Sequence, residues 1–375
     1  MLYIHIPFCH SKCVYCDFYS TPLGRKLYDD YLTALLTETS RRLGELPAPP
    51  SSIYIGGGTP SILSEQLTLR LLEGLLSMVD ISRVKEWTIE MNPEDVNPRI
   101  LQLYREHGVN RISMGIQSFH DNTLKKIGRR HTARQALTAV SLIQNAGFRH
   151  SFDLIYGLPD EGMEQWSESL YKLMDFHPDH FSAYLLSYEP GTALYRMMTA
   201  GRVTEASEQL VTDMYSHLCQ VSADNGFEHY EISNFAGKGG KSFHNSRYWN
   251  GTPYLGVGCS AHSFTNGLRK WNPPDVKAYI ETINNHDSLP FQIEEETTSE
   301  KFNDLIITTL RTNKGFDLSL VDGFPEPIRR EFAKNIEPEL KSGSLLLADN
   351  HLIIPEDKWL RADSVMRNLI VETDN

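Results

Sequence analysis

Short apolar runs alternate with longer amphipathic stretches through the first half of the chain. The apolar runs are Leu2–Phe8, Ser52–Ile55, Trp87–Met91, Arg111–Ile116, Ser151–Tyr156 and His180–Leu186. Each gives way to Gly, Pro or polar residues and then to a stretch with apolar positions at helical spacing. Those stretches are Tyr28–Leu46, Glu65–Val79, Pro98–His107, Thr132–Ala146 and Glu164–Phe176. A brief apolar run bounded by turn residues reads as a buried strand, and recurrence at every third or fourth residue reads as a helix. Asn97 ahead of Pro98 predicts an N-cap with proline at the first helical position, and Gly147 predicts the end of the Thr132 helix. Six such β/α repeats imply a parallel sheet.

The polar residues that interrupt this pattern fall at or just after the ends of the strands: Cys9–Cys16, Gly56–Thr59, Glu90–Asn92, Gln117 and Asp153. In a β/α barrel those ends converge on one face, where ligands bind. In an open doubly wound sheet they cluster only at a switch point. Markers after nearly every strand favour an incomplete (β/α)6 barrel over residues 1–200. The pattern then changes. A helix at about Glu205–Asn225 precedes a Gly-rich, aromatic stretch, Gly226–Trp271, and another helix starts near Asp275; together residues 201–290 form a connecting segment. Residues 291–375 read as helix, turn, helix, a short Leu345–Ile354 hairpin and a last helix, the order of a small winged-helix-like α/β domain.

Composition narrows the function classes. At 375 residues, with 40% apolar and 22% charged residues, the chain suits one large domain and a smaller one. No apolar run approaches the about 20 residues of a membrane span; peripheral membrane contact stays open. A net charge of −12 argues against extended contact with nucleic acid, including by the winged-helix-like unit. Lys125-Lys126 and Arg129-Arg130-His131 form the densest basic patch, either an anion contact or a solvated helix end.

Three of the five cysteines, Cys9, Cys13 and Cys16, lie in one Cys-x3-Cys-x2-Cys run. A structural zinc site takes four N/S ligands, usually from paired knuckles; His5 or His10 could be a fourth, but Cys219 and Cys259 stand alone. An odd number of cysteines in a chain of this length does not suit a disulfide framework. Three thiolates on one loop suit an iron–sulfur cubane that leaves one iron open. Reduced cysteines predict a cytoplasmic protein. Cys219 reads as a core residue on a helix face, and Cys259 as a residue kept for its size.

With Tyr15 before the third cysteine, and with Tyr54-Ile-Gly-Gly-Gly-Thr-Pro60 after the second strand, the cysteine loop resembles that of the radical S-adenosylmethionine superfamily. The glycines allow close backbone approach to a ligand. Within the superfamily, Leu2–Cys9, Glu90-Met-Asn-Pro93, Ser113–Phe119, Asp153–Pro159 and Gly256–His262 resemble the oxygen-independent coproporphyrinogen III oxidase group, and residues 291–375 resemble its accessory domain. Two departures matter. The oxidases carry a fourth cysteine where this chain has Phe18, and a long N-terminal extension that is not expected here, where the first strand begins at residue 2. His244-Asn-Ser-Arg-Tyr-Trp249 instead resembles the signature of the haem chaperone HemW family.

The resemblance implies a 4Fe–4S cluster on Cys9, Cys13 and Cys16, with S-adenosylmethionine chelating its open iron. It implies that Tyr3, Gly57, Gly58, Thr59, Glu90, Gln117, Arg129 and Asp153 surround that cofactor. Asp153 also has a reading as a helix cap or structural partner, and Arg129 or its neighbour Arg130 could pair with a local acid. His244 is the implied haem ligand, with Tyr248 and Trp249 stacking on the macrocycle; a packed corner is the alternative for all three. His262 is either a second ligand or a buried polar residue, the latter favoured. Implied partners are haem or a related tetrapyrrole, haem-accepting proteins and a low-potential electron donor. The implied function is haem delivery. The alternative is oxidative decarboxylation of coproporphyrinogen III in porphyrin biosynthesis, against which Phe18 argues.

Overall fold

A computed structural model of the chain describes residues 1–22, 24–265, 267–285 and 292–372. The six expected strands are present: β1 (Leu2–Ile6), β2 (Ser52–Gly57), β3 (Glu86–Met91), β4 (Arg111–Gln117), β5 (Arg149–Tyr156) and β6 (His180–Leu185). Each pairs in parallel with its successor in sequence order. An order without reversal has no switch point, so the sheet curves as a barrel does. The alternating helices cover it at Tyr28–Arg42, Glu65–Met78, Pro98–Glu106, Ala133–Asn145 and Met163–Asp175. Asn97 caps its helix by accepting from the Ile100 N–H, with Pro98 at the first turn. Gly147 follows the Ala133–Asn145 helix in the left-handed region at φ 73°. The Tyr28 helix stops at Arg42, short of the expected Leu46, and continues as a tighter turn.

Residues 201–290, expected as a connecting segment, also build the sheet. Short strands β7 (Glu228–Glu231) and β8 (Asn234–Ala236) form a hairpin that pairs antiparallel with β6. Strand β9 (Leu255–Val257) lies parallel beside β1. The result is a nine-stranded sheet in the order β7-β8-β6-β5-β4-β3-β2-β1-β9 whose outer strands do not meet. The barrel is incomplete, as expected, but wider than six strands.

Trp87, Trp166, Phe152 and Phe181 are fully buried between the sheet and its helices. The boundary expected at 290/291 lies outside the described residues. Beyond it come helix Thr298–Thr309, helix Glu326–Ser342, the Leu346–Ala348/His351–Ile353 hairpin and helix Ala362–Leu369, in the order the sequence predicts. Phe302 packs edge to face on Phe316 and on Phe332, which meet each other tilted, in that unit's core. Among the described residues no helix is long and apolar enough to cross a membrane.

Candidate functional site

A cavity of about 570 Å³ opens at the carboxyl ends of β1–β6. Its lining brings together most of the residues expected from the sequence: Cys9, Cys13, Cys16, Gly57, Gly58, Thr59, Glu90, Gln117, Arg129 and Asp153. All three cysteines are free and partly buried. Burial pushes the thiols of Cys9 and Cys16 above their ordinary values, so a bound cation must displace their protons. Three free thiols on one short loop, with no fourth cysteine or histidine among the cavity-lining residues, suit a cluster with one open iron better than a four-ligand structural zinc site.

The loop is seated against the glycine run. Gly58 N–H donates to the Ile6 carbonyl and Thr59 N–H to the Phe8 carbonyl, each at 2.8 Å. A Cβ at Gly58 would lie 2.7 Å from the Phe8 oxygen, and one at Gly57, whose φ is +108°, 2.4 Å from the His5 ring. Only glycine fits either place. The Gly57 N–H donates to Glu90 Oε2 at 3.0 Å, and the Tyr54 hydroxyl donates to Oε1 at 2.7 Å. Burial raises the Glu90 carboxyl to about 7 and that of Asp153 to about 6.

Gln117 ends β4 in the left-handed region at φ 69°, a strained place for a residue with a Cβ. Its Oε1 is buried without a partner, as is Nε of Arg129. The Arg129 guanidinium otherwise donates to Asn92 Oδ1 at 2.8 Å and to the Gly115 carbonyl at 2.7 Å, and reaches Cys13 Sγ at 3.9 Å. Arg130 does not line the cavity. Buried polar atoms left over beside a glycine cradle fit a polar ligand such as S-adenosylmethionine.

Tyr3 does not line the cavity. Its hydroxyl contacts His5 Nδ1 at 3.0 Å and its ring packs on Tyr54, which does line it. The hexad is placed differently from the expectation as well. His244, Tyr248 and Trp249 are absent from the lining, to which the same helix, Phe243–Tyr248, and its cap contribute Ser242 and Asn245. His244 is 1% exposed, with Nδ1 2.9 Å from Ser52 Oγ and Nε2 3.1 Å from the Tyr248 hydroxyl. Burial pushes it down to about 3, so the ring is neutral. Trp249 donates to Glu231. In this arrangement the imidazole has no free nitrogen to offer iron. His262, expected as buried, is exposed and stacked on Trp271.

Sequence reasoning passed over Tyr54, Ser182, Tyr184 and Asn245, which also line the cavity. Tyr54 opens the quoted glycine motif but was given no role there, and period-2 alternation was the only signal for Ser182 and Tyr184. Phe18 stands at the cavity and is 72% exposed.

Residues 3–172 match the model of the radical SAM superfamily. The chain is 34% identical over 363 residues to "Heme chaperone HemW" of Lactococcus lactis, covering 95% of this chain and 93% of that protein. The protein of the same name from Bacillus subtilis is 35% identical, over 84% of this chain and 83% of its own. Among solved structures, the coproporphyrinogen III oxidase HemN of Escherichia coli superposes with a TM-score of 0.85 at 23% identity, covering 99% of this chain and 89% of that one. At that identity the likeness concerns the fold.

Proposed function

Because the chain belongs to the HemW family of the radical SAM superfamily, we propose that it binds haem and delivers it to acceptor proteins. In this reading Cys9, Cys13 and Cys16 hold a 4Fe–4S cluster. Gly57, Gly58 and Thr59 cradle S-adenosylmethionine, Glu90 accepts from its amino group, and Gln117, Arg129 and Asp153 contact the remainder. The observation that supports this assignment is the meeting of three free thiols, the glycine cradle and the unpartnered Gln117 and Arg129 atoms in one cavity. When bound, the cluster supplies a low-potential electron to the sulfonium; a cellular electron donor is therefore a required partner. The protein's own groups position the ligands: Thr59 Oγ1 sits 3.4 Å from Cys9 Sγ and accepts from Asn92 at 3.2 Å, which joins the cluster loop to the Glu90–Asn92 strand end.

The hexad enters the proposal with a geometric condition. His244 becomes an iron ligand only when one ring nitrogen exchanges its side-chain partner, Ser52 or the Tyr248 hydroxyl, for the metal, so haem binding has to move the side chains around it. Anaerobic optical titration of the cluster-loaded protein with haem tests this reading. Saturable binding is expected, with affinity reduced at least about tenfold in His244→Ala, the loss of one axial ligand. Equal affinity in the variant defeats the ligand assignment, and a failure to saturate defeats the haem reading.

A further inference from the structure

Outside the cavity, three elements distant in sequence bring soft and hard donor atoms to one point. Cys219 lies on helix Glu208–Asp224, His229 on the sheet's edge strand β7, and Glu356 opens the turn Glu356–Arg361 of the C-terminal unit. Their sulfur, ring nitrogen and carboxylate oxygen lie within 4.8 Å of one another, the one such triad of His, Cys, Asp and Glu ligand atoms among the described residues. Cys219 Sγ is 4.0 Å from His229 Nδ1, which is 2.7 Å from Glu356 Oε1.

The ring is built into place. His229 stacks on Phe235 with centroids 3.9 Å apart and meets Trp359 edge-on at 4.3 Å. Its Nε2 stands 3.2 Å from the Ile232 carbonyl. A carbonyl only accepts, so Nε2 carries the hydrogen and the lone pair of the neutral ring sits on Nδ1. An imidazole fixed by a carbonyl on its far nitrogen is the usual outer support of a metal-ligating histidine. The register of β7 against β8 shifts between His229 and Glu231, a bulge of the kind that re-aims a side chain. The Tyr215 hydroxyl donates to the Glu356 carbonyl at 2.9 Å and fixes the third donor's backbone.

Nδ1 thus aims its lone pair at a carboxylate oxygen and a sulfur, and such a group needs a cation. A proton between His229 and Glu356 would satisfy that pair, and the Cys219 thiol can hydrogen-bond the same carboxylate. A divalent metal uses all three. We propose that Cys219, His229 and Glu356 form a divalent-metal site of the zinc class, which ties the C-terminal unit to the edge of the sheet. Thiolate and imidazole select zinc over magnesium, calcium or manganese. The Glu356 side chain is 52% exposed, which leaves a fourth position to water.

The test uses the full chain with Cys9, Cys13 and Cys16 all changed to Ser, so that Cys219 and the buried Cys259 are the remaining thiols. Zinc(II) is titrated against a chromophoric chelator, and cobalt(II) is followed by its thiolate-to-metal charge-transfer absorption. One equivalent of zinc is expected, with affinity falling at least about tenfold in Cys219→Ser and in Glu356→Gln. Glu356→Gln alters a half-exposed side chain and keeps the fold. If the triple-serine chain does not fold, the cluster-loaded protein, its loop thiols occupied, is compared with its own Glu356→Gln form by zinc-dependent thermal shift. Failure to bind zinc, binding insensitive to both substitutions, cobalt bound without the charge-transfer band, or a thermal shift unchanged in Glu356→Gln would each overturn the proposal.

Discussion

At the scale of single residues, Glu90 is the group whose titration bears most directly on ligand binding. Its carboxyl is raised to about 7 by burial, against an ordinary value of 4.5. A raised acid costs nothing below its ordinary value, where folded and unfolded chains are both protonated. As pH climbs from there to about 7 the unfolded chain ionises first, so its contribution to stability falls across that window and is level above it. A bound ammonium group reverses the preference because it needs the carboxylate. Affinity for S-adenosylmethionine should therefore rise with pH up to about 7, by at most about tenfold per unit from this group, and then level off. Calorimetry across that range on the wild type and on Glu90→Gln checks this. The variant should bind about 10- to 100-fold more weakly, for a lost charged hydrogen bond, and the Glu90-dependent part of the slope should vanish. An unaltered slope in the variant would assign the titration elsewhere, Asp153 being the nearest candidate. At this scale the cysteine triplet, the glycine run and Glu90 were legible because each belongs to a short contiguous motif. Tyr54 opens the same glycine motif, but its role was not legible, because it is a hydroxyl 2.7 Å from a carboxylate 36 positions away, brought together by β2–β3 pairing.

At the scale of elements, two contacts decide whether the site holds its shape. The first is the seat of the cluster loop on Gly58. In Gly58→Ala the new methyl meets backbone oxygens of Phe8 and Ile6 at 2.7 and 2.8 Å, and backbone cannot rotate away as a side chain would. A destabilisation of about 1–3 kcal/mol is expected, together with lower iron content after reconstitution; normal melting and full iron would show that the loop relaxes freely. The second is Glu86, buried on β3. It accepts from Ser242 Oγ and from the N–H groups of Phe243 and His244, at the start of the hexad helix, and pairs with Arg111 at 3.2 Å. A carboxylate at a helix N-terminus satisfies donors that have no partner within the helix. Glu86→Ala should cost about 3–5 kcal/mol in denaturant unfolding, since it strands a buried guanidinium as well. The β/α units were legible from periodicity, but this six-residue helix and the strands β7–β9 were not. Elements of three or four residues in a Gly-rich, aromatic stretch show no period, and tertiary hydrogen bonds of the Glu86 kind hold them.

At the scale of the whole molecule, one open sheet positions both the cavity and the proposed metal site. The strand ends of β1–β6 gather the cavity, while the outer hairpin β7–β8 carries the Cys219–His229–Glu356 group toward the C-terminal unit. The fold itself cannot separate haem delivery from decarboxylation, because the HemN structure shares it almost end to end. Among the residues that face the cavity, Phe18 is the sharpest departure from the oxidase pattern. An exposed aromatic ring, rather than a fourth thiol, stands beside the cluster loop. A flat apolar face there suits contact with a macrocycle, and a phenyl ring offers none of a thiol's acid–base or redox chemistry. The reduced, cluster-loaded protein given S-adenosylmethionine and coproporphyrinogen III under anaerobic conditions should therefore yield no decarboxylated product by mass spectrometry. The same preparation should bind haem. Phe18→Cys should not by itself confer turnover, because the cavity's other contacts remain those of this chain. Loss of carboxyl groups over many turnovers by the wild type would make the cavity an oxidase site and reduce the hexad to a packing corner behind it.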